Sequence, residues 1–204
     1  MIAYAARMAS PARRAELLDQ LRDLFLAKGF AAFSIGDLTD HLRCSRTTLY
    51  AVAPSKEQIV LAVVRSYFRG AAERIEARVS AAGGPRDRLA VYLDAVAAEL
   101  QPVSAEFFAD LAGFGPGNDI YQENTRFAAR RVQRLVVEGV DAGELRPVDA
   151  SFVGAAAAQV MGAIQRGEIQ AGTGLDAAEA YRQLADLVLG SLTAAPSAAR
   201  RPSG

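Results

Sequence analysis

The chain has little of what most enzymes build their chemistry from. Among its 204 residues there is one histidine, one cysteine and no tryptophan. His41 and Cys44 cannot form a zinc site without partners from elsewhere. As a nucleophile pair they have no nearby acid to orient the imidazole. A single cysteine also excludes an internal disulfide, which fits a reducing, cytoplasmic location. No apolar run approaches the ~18 residues that a membrane span needs. The opening MIAYAARMASPARR lacks the basic-then-apolar order of a secretory signal. No strand-like alternation is sustained over five residues, so a sheet is not expected. The glycines between Gly113 and Gly117 come without the lysine and preceding strand of a phosphate loop. Paired acids such as Glu73 and Glu76 read as solvated helix faces. The expectation is an all-helical protein without metal, cofactor, membrane segment or catalytic residues.

Net charge is also absent, but its distribution is uneven. Residues 1–82 carry 12 Arg or Lys against 8 Asp or Glu, and residues 83–204 carry 11 against 15. The first part is therefore positive and the second negative, which suits an N-terminal region that meets a polyanion.

What is present is a set of helix signals. Ser10-Pro11 places a capping residue before a proline at the first helical position, and Gly29 stops that helix near Lys28. Leu17, Leu21, Leu24 and Phe25 mark its inner face. Ser55 with Gln58 opens a fourth helix that continues to about residue 82, where Gly83-Gly84-Pro85 breaks it. Helices follow over about 86–100, 104–113, 118–142, 149–172 and 176–193, which gives nine in all. The tail APSAARRPSG, residues 195–204, reads as disordered.

Residues 34–58, SIGDLTDHLRCSRTTLYAVAPSKEQ, carry the functional signal. Ile35, Leu38 and Leu42 give one apolar face of a short second helix. Arg43, Cys44 and Ser45 interrupt it, and Ser45 caps a third helix beginning at Arg46. With only Leu49 and Val52 needed inside, Arg46, Thr47, Thr48 and Tyr50 are expected to face outward. Hydroxyls, a guanidinium and a phenol without an acid suit a groove lined by phosphates and base edges. The pattern is a helix-turn-helix with its recognition helix over 46–52. Ser34, Ser45 and Lys56 complete the expected DNA contacts, with Tyr50, Ser34 and Lys56 on the backbone.

Across about residues 13–65 the chain resembles the TetR family of bacterial transcriptional regulators. The resemblance rests on Leu17, Leu18, Phe25, Gly29-Phe30, Ser34-Ile35, Ser45, Thr48, Leu49, Tyr50 and Ser55-Lys56-Glu57 in that order. Three positions depart from the family's pattern. Arg43 stands where a turn glycine is common, and Val52 and Ala53 stand where an aromatic or histidine followed by phenylalanine is common. The resemblance implies a two-domain architecture. A helix-turn-helix domain at 10–55 precedes a helical effector-binding and dimerisation domain at 56–194. It further implies a repressor released from a palindromic DNA operator by a small-molecule effector.

The second domain offers two further features. The eighth helix, with Phe152, Val153, Ala155–Ala158, Val160, Met161, Ala163 and Ile164, is apolar nearly all round. Such a helix needs cover on every side. The expected arrangement pairs 149–170 and 176–193 with the same helices of a second copy. The middle helices mix aromatics with polar groups, and Tyr67, Tyr92, Phe108, Phe127 and Gln159 are the candidate effector contacts. Such a pocket suits a neutral or weakly polar aromatic-sized molecule, and Arg130 and Arg131 leave room for an anionic group. An ordinary helical core would give a similar list. A small helical enzyme, or a constitutive DNA-binding regulator without an effector, remain the alternatives.

Overall fold

The structure is a computed structural model that describes residues 11–193; the expected disordered tail lies outside them. Ten helices run along the described residues: α1 Pro11–Lys28, α2 Ile35–His41, α3 Arg46–Tyr50, α4 Lys56–Ser80, α5 Pro85–Leu100, α6 Ala105–Gly113, α7 Gly115–Asp141, α8 Ala150–Gln165, α9 Glu168–Thr173 and α10 Ala177–Leu192. No strand accompanies them, as the sequence predicts.

The first three helices form a compact head. Leu17, Leu21, Leu24 and Phe25 of α1 are buried as expected, together with Leu38 and Leu49. Each α1 contact recurs after three or four residues, which keeps one stripe of the helix against the others. Gly29 ends α1 with φ +70°, a conformation that costs glycine little. A Cβ there would also stand 2.5 Å from Asp110 Oδ2. A capping box opens α2: Ser34 Oγ accepts from Asp37 N, and the Asp37 carboxylate accepts from Ser34 N. The turn to α3 passes through Arg43 at φ +49°, the one non-glycine residue with positive φ among those described. This is the position where the sequence departs from the expected turn glycine, and the backbone adopts the glycine-like conformation regardless.

The 25-residue α4 is too long for the head alone. Ile59, Val60, Val63 and Val64 lie buried in its first half, and Ala71, Ile75 and Val79 continue the stripe. The same helix packs against α1 and against α5 and α7. Head and body therefore share one rigid element.

In the body, α8 packs closely on α7. A Cβ at Gly154 would meet the Ala129 carbonyl at 3.1 Å, so the missing side chain sets that approach. α10 lies against both α5 and α8. The sequence predicts one helix over 149–172, and here the structure differs. Gly167 at φ +72° ends α8 at Gln165, and the short α9 follows at a new angle, giving ten helices instead of nine. α7 begins at Gly115, earlier than expected, because Pro116 at the helix start needs no amide partner.

The expectation that α8 is covered on every side fails within a single chain. Phe152 is 72% exposed, and Ala155, Ala156 and Gln159 share its face. Leu187 on α10 is 68% exposed. The opposite face, with Ala157, Met161 and Ile164, is buried.

Arg43 generates a stability prediction. A side chain in the left-handed region costs roughly 1–2 kcal/mol, part of which glycine returns as unfolded-state entropy. Arg43→Gly is expected to raise folding stability by about 0.5–1 kcal/mol in urea unfolding, and Arg43→Val to lower it.

Candidate DNA-binding head and effector cavity

The recognition helix α3 is five residues long and held from both ends. At its start Ser45 Oγ accepts from the Thr48 amide at 3.1 Å and bonds the Thr48 hydroxyl at 2.8 Å. Beyond its end the Val52 carbonyl accepts from the Arg14 guanidinium at 3.1 and 3.3 Å, which ties α1 to the corner before α4. Arg46, Thr47 and Tyr50 are exposed, with Tyr50 at 42%. Thr48 is not: it is 2% exposed and its hydroxyl is turned back onto Ser45. The expectation that Thr48 faces outward is corrected. Thr48 lies one position before Leu49 on the helix flank that packs inward, and Ser45 satisfies its hydroxyl, which allows the burial.

Ser34 and Lys56 stand at the rim of the head. Lys56 Nζ donates to the Ala31 carbonyl at 2.9 Å, so the first turn of α4 holds the loop before α2. The Ser34 hydroxyl and amide, with Lys56 adding, hold the Asp37 carboxyl below its ordinary range. That cap therefore supports folding above the usual carboxylate pKa and loosens as pH falls through the lowered value. Arg43 is exposed in the turn before α3. Arg14 and Arg43 were not among the expected contacts; their signal was basic charge beside the turn.

The loop held by Lys56 is also held from the body. Asp110 on α6 accepts from the Phe30 amide at 2.5 Å and the Ala31 amide at 2.8 Å. The Ser104 amide, capping the same helix, donates to the Leu26 carbonyl of α1 at 2.8 Å. Ring contacts continue inward: Phe30 packs edge-on against Phe107 at 5.9 Å, and Phe107 against Tyr67 at 6.3 Å. Tyr67 then meets Phe68 at 5.0 Å, and Phe68 meets Tyr121 at 5.8 Å.

These last rings wall a cavity of about 60 Å³ between α4, α5 and α7, reached also by Met161 of α8 and Tyr181 of α10. Tyr67, Tyr92 and Phe127 line it as expected. Phe108 does not; it packs edge-on against Tyr121 at 6.0 Å and faces a separate groove of about 360 Å³. That groove is wider and more polar, with one aromatic wall. Gln159 does not line the cavity either. It lies on the exposed face of α8, one turn and two turns from Ala156 and Phe152. The buried amide is Gln165, 6% exposed, which accepts from Gln122 Nε2 at 3.1 Å and donates to Asn118 at 3.5 Å. Helical spacing distinguishes the two: Gln165 follows Met161 by four positions, whereas Gln159 follows Ala155.

Polar groups around the cavity are already engaged. Tyr67 Oη donates to the Glu99 carbonyl at 2.7 Å, and the Tyr121 and Tyr181 hydroxyls meet at 3.3 Å. Arg74 grips the Glu99 carboxylate at 2.6 and 2.8 Å, and Arg131 grips Glu76 at 2.8 and 2.9 Å. Arg131 is thus committed to Glu76, and Arg130 is exposed, so the expected room for an anionic group is not found. Burial pushes the phenols of Tyr67, Tyr92, Tyr121 and Tyr181 well above their ordinary range. All four stay neutral near physiological pH. Among the described residues no buried side-chain polar atom lacks a partner, and no cluster of His, Cys, Asp or Glu could hold a metal. No helix among them is long and apolar enough to cross a membrane.

The structure thus joins a helix-turn-helix head to a helical body that holds an aromatic cavity. Residues 17–63 match the family described as bacterial regulatory proteins, tetR family. A transcriptional regulator of the TetR/AcrR family from Thermobifida fusca YX-ER1 is 26% identical, with TM-score 0.65, over 93% of this chain and 100% of that one. A putative transcriptional regulator from Saccharomonospora viridis, solved in complex with choline, shares the fold at TM-score 0.74 and 17% identity, over 91% and 100% of the two chains. AibR, solved with isovaleryl coenzyme A and operator DNA, shares it at TM-score 0.59 and 19% identity, over 89% and 98%. No curated protein sequence matches. The family match covers residues 17–63, and over its described length the chain shares the fold of TetR-family transcriptional regulators.

The Asp110 contact generates a second prediction. Asp110→Ala leaves two amides at the end of α1 without their acceptor, one of them part-buried. A loss of about 1–3 kcal/mol in urea unfolding is expected, against little change for the exposed Asp119→Ala.

Proposed function

We propose that this regulator is a ligand-responsive repressor that binds a palindromic operator as a homodimer. Residues 10–55 act as the DNA-binding domain and 56–194 as the effector-binding and dimerisation domain. The observation that carries the reading is the continuity between cavity and head. Tyr67 and Phe68 line the cavity from α4, whose first residue, Lys56, holds the head loop. A ligand that enlarges or stiffens the cavity bears on the same helix that positions α3. An effector that binds the free dimer better than the DNA-bound one weakens operator affinity by the same factor. The choline and isovaleryl coenzyme A complexes of the two structural relatives support an effector role for the body. The cavity itself favours this reading over a constitutive binder.

In this reading Arg46 and Thr47 reach base edges or phosphates, and Tyr50, Ser34 and Lys56 hold the backbone. Ser45 and Thr48 serve the helix that presents them. Thr47→Ala is expected to change preference at one base pair by up to ~1–3 kcal/mol. Thr48→Ala instead lowers folding stability and weakens all operators alike. Binding of operator variants to both proteins, with urea unfolding alongside, separates the two effects. Equal shifts in sequence preference for both variants would contradict the assignment.

The exposed stripe of Phe152, Ala155, Ala156 and Leu187 is the proposed dimer face, with each contact repeated across a two-fold axis. Ala156→Glu sets a charge in that face without touching the monomer core, whereas Ala157 is buried within the chain. Light scattering is expected to show a dimer for the wild type and a folded monomer for Ala156→Glu. The monomer should bind one half-site weakly. The whole reading is tested by operator fragments recovered from a genomic pull-down: release by a cavity ligand supports repression by induction, and turnover of that ligand by pure protein would favour an enzyme.

A further inference from the structure

The cavity's lining carries an unusual balance of groups. Four tyrosines and two phenylalanines face it, with two carboxylates, Glu76 and Glu99, and neither lysine nor arginine is among its lining residues. Arg131 and Arg74 neutralise the two carboxylates, but it is the glutamates that line the space. The tyrosines record the resulting field. The Glu99 charge raises the Tyr67 phenol against the opposing pull of Arg74, and the Glu76 charge raises Tyr92 against Arg131 and Arg134. In both cases burial is the first cause and the carboxylate the second, ahead of the arginines.

We propose that the cavity binds an organic cation, an amine or quaternary ammonium with a compact apolar shell, caged by Tyr67, Phe68, Tyr92 and Tyr121 with Glu76 and Glu99 as counter-charges. This rests on the reading of the cavity as the effector site and names the chemistry of its ligand. Aromatic faces attract cations through their quadrupole, and do so most where water is excluded. A methylated ammonium needs no hydrogen-bond acceptor. That suits a cavity whose fully buried polar atoms are already paired, with the half-buried Asn124 amide as the one neutral side-chain amide in its lining. An anion here would meet two carboxylates and gain no free cation. A neutral ligand would gain the apolar contact but not the field. The small volume holds a compact headgroup, with any longer portion of the ligand directed to the mouth.

Three probes of one shape separate these cases: (3-hydroxypropyl)trimethylammonium, its neutral carbon isostere 4,4-dimethylpentan-1-ol, and the anion 4,4-dimethylpentanoate. Calorimetric titration and thermal shift on the full-length dimer are expected to rank them cation, neutral, anion. A gap of roughly tenfold is expected between the first two. Glu76→Gln releases Arg131 beside the cavity and should shrink or reverse that gap, while leaving the neutral probe's affinity nearly unchanged. Should that variant unfold, Glu99→Gln, whose partner Arg74 is more exposed, makes the same comparison. Tyr92→Leu should reduce the cation's affinity more than the alcohol's. Equal binding of cation and alcohol, preference for the anion, or failure of the cation to bind at millimolar concentration overturns the proposal. Binding of the alcohol or the anion that is lost in Tyr92→Leu would overturn the cation while leaving the cavity an effector site. A ligand of any charge that releases operator yet is insensitive to Tyr92 and Glu76 would move the effector site elsewhere.

Discussion

One carboxylate, Asp110, stands at the centre of the junction between the body of this protein and its head. It accepts from two consecutive amides at the end of α1, and the Ala31 carbonyl beside them accepts in turn from Lys56. Three elements from different parts of the chain thus meet at a loop of a few residues. Gly29 is required there twice: its positive φ turns the chain, and its missing Cβ leaves room for the carboxylate oxygen. The hydrogen bonds are charge-assisted and partly shielded, which places them among the stronger ones a surface loop can make. With this junction in place, α1, α4 and α6 move as one unit, and the recognition helix inherits its orientation from them.

The cavity begins where that junction ends. Phe107, three residues after the α6 cap Ser104, touches Phe30 on one side and Tyr67 on the other. A shift of α6 or of the middle of α4 therefore has packed neighbours at every step toward the head. Interiors at this density do not deform continuously, so small displacements are passed on rather than absorbed. The exposed stripe of α8 and α10 supplies the other half of the device. In the proposed dimer, a fixed interface there would convert a tilt of each head into a change in the distance between two recognition helices.

Much of this was legible in the sequence, and the limits of legibility have physical reasons. Ser34, Ser45 and Asp176 announced helix starts because a side-chain cap is a local interaction. The inner face of α1 followed from periodicity, and the length of α4 from its Ser55 cap and the Gly83-Gly84-Pro85 break. The head was readable because its elements are short and its spacing is fixed by caps and turns. Thr48 was misread because a hydroxyl tolerates either side of a surface once a neighbour satisfies it. Gln159 stands out in the sequence on chemistry alone, whereas the phase of Ala157, Met161 and Ile164 puts Gln165 inside. The break at Gly167 hid within a run of good helix formers. Asp110 was invisible, since its partners are backbone amides about eighty residues away. The same holds for the cavity's charge: Glu76 looks like part of a solvated helix face until the fold sets it beside tyrosines.

The central claim is that cavity and head are energetically coupled through α4, braced by the α6–α1 junction. Its most direct test is the ratio of operator affinities with and without a saturating cavity ligand, measured for the wild type and for Asp110→Ala under conditions where both are folded. The account predicts a ratio well above one for the wild type. It also predicts a smaller ratio for Asp110→Ala, although that variant still binds both ligand and operator separately. An undiminished ratio in Asp110→Ala would contradict it.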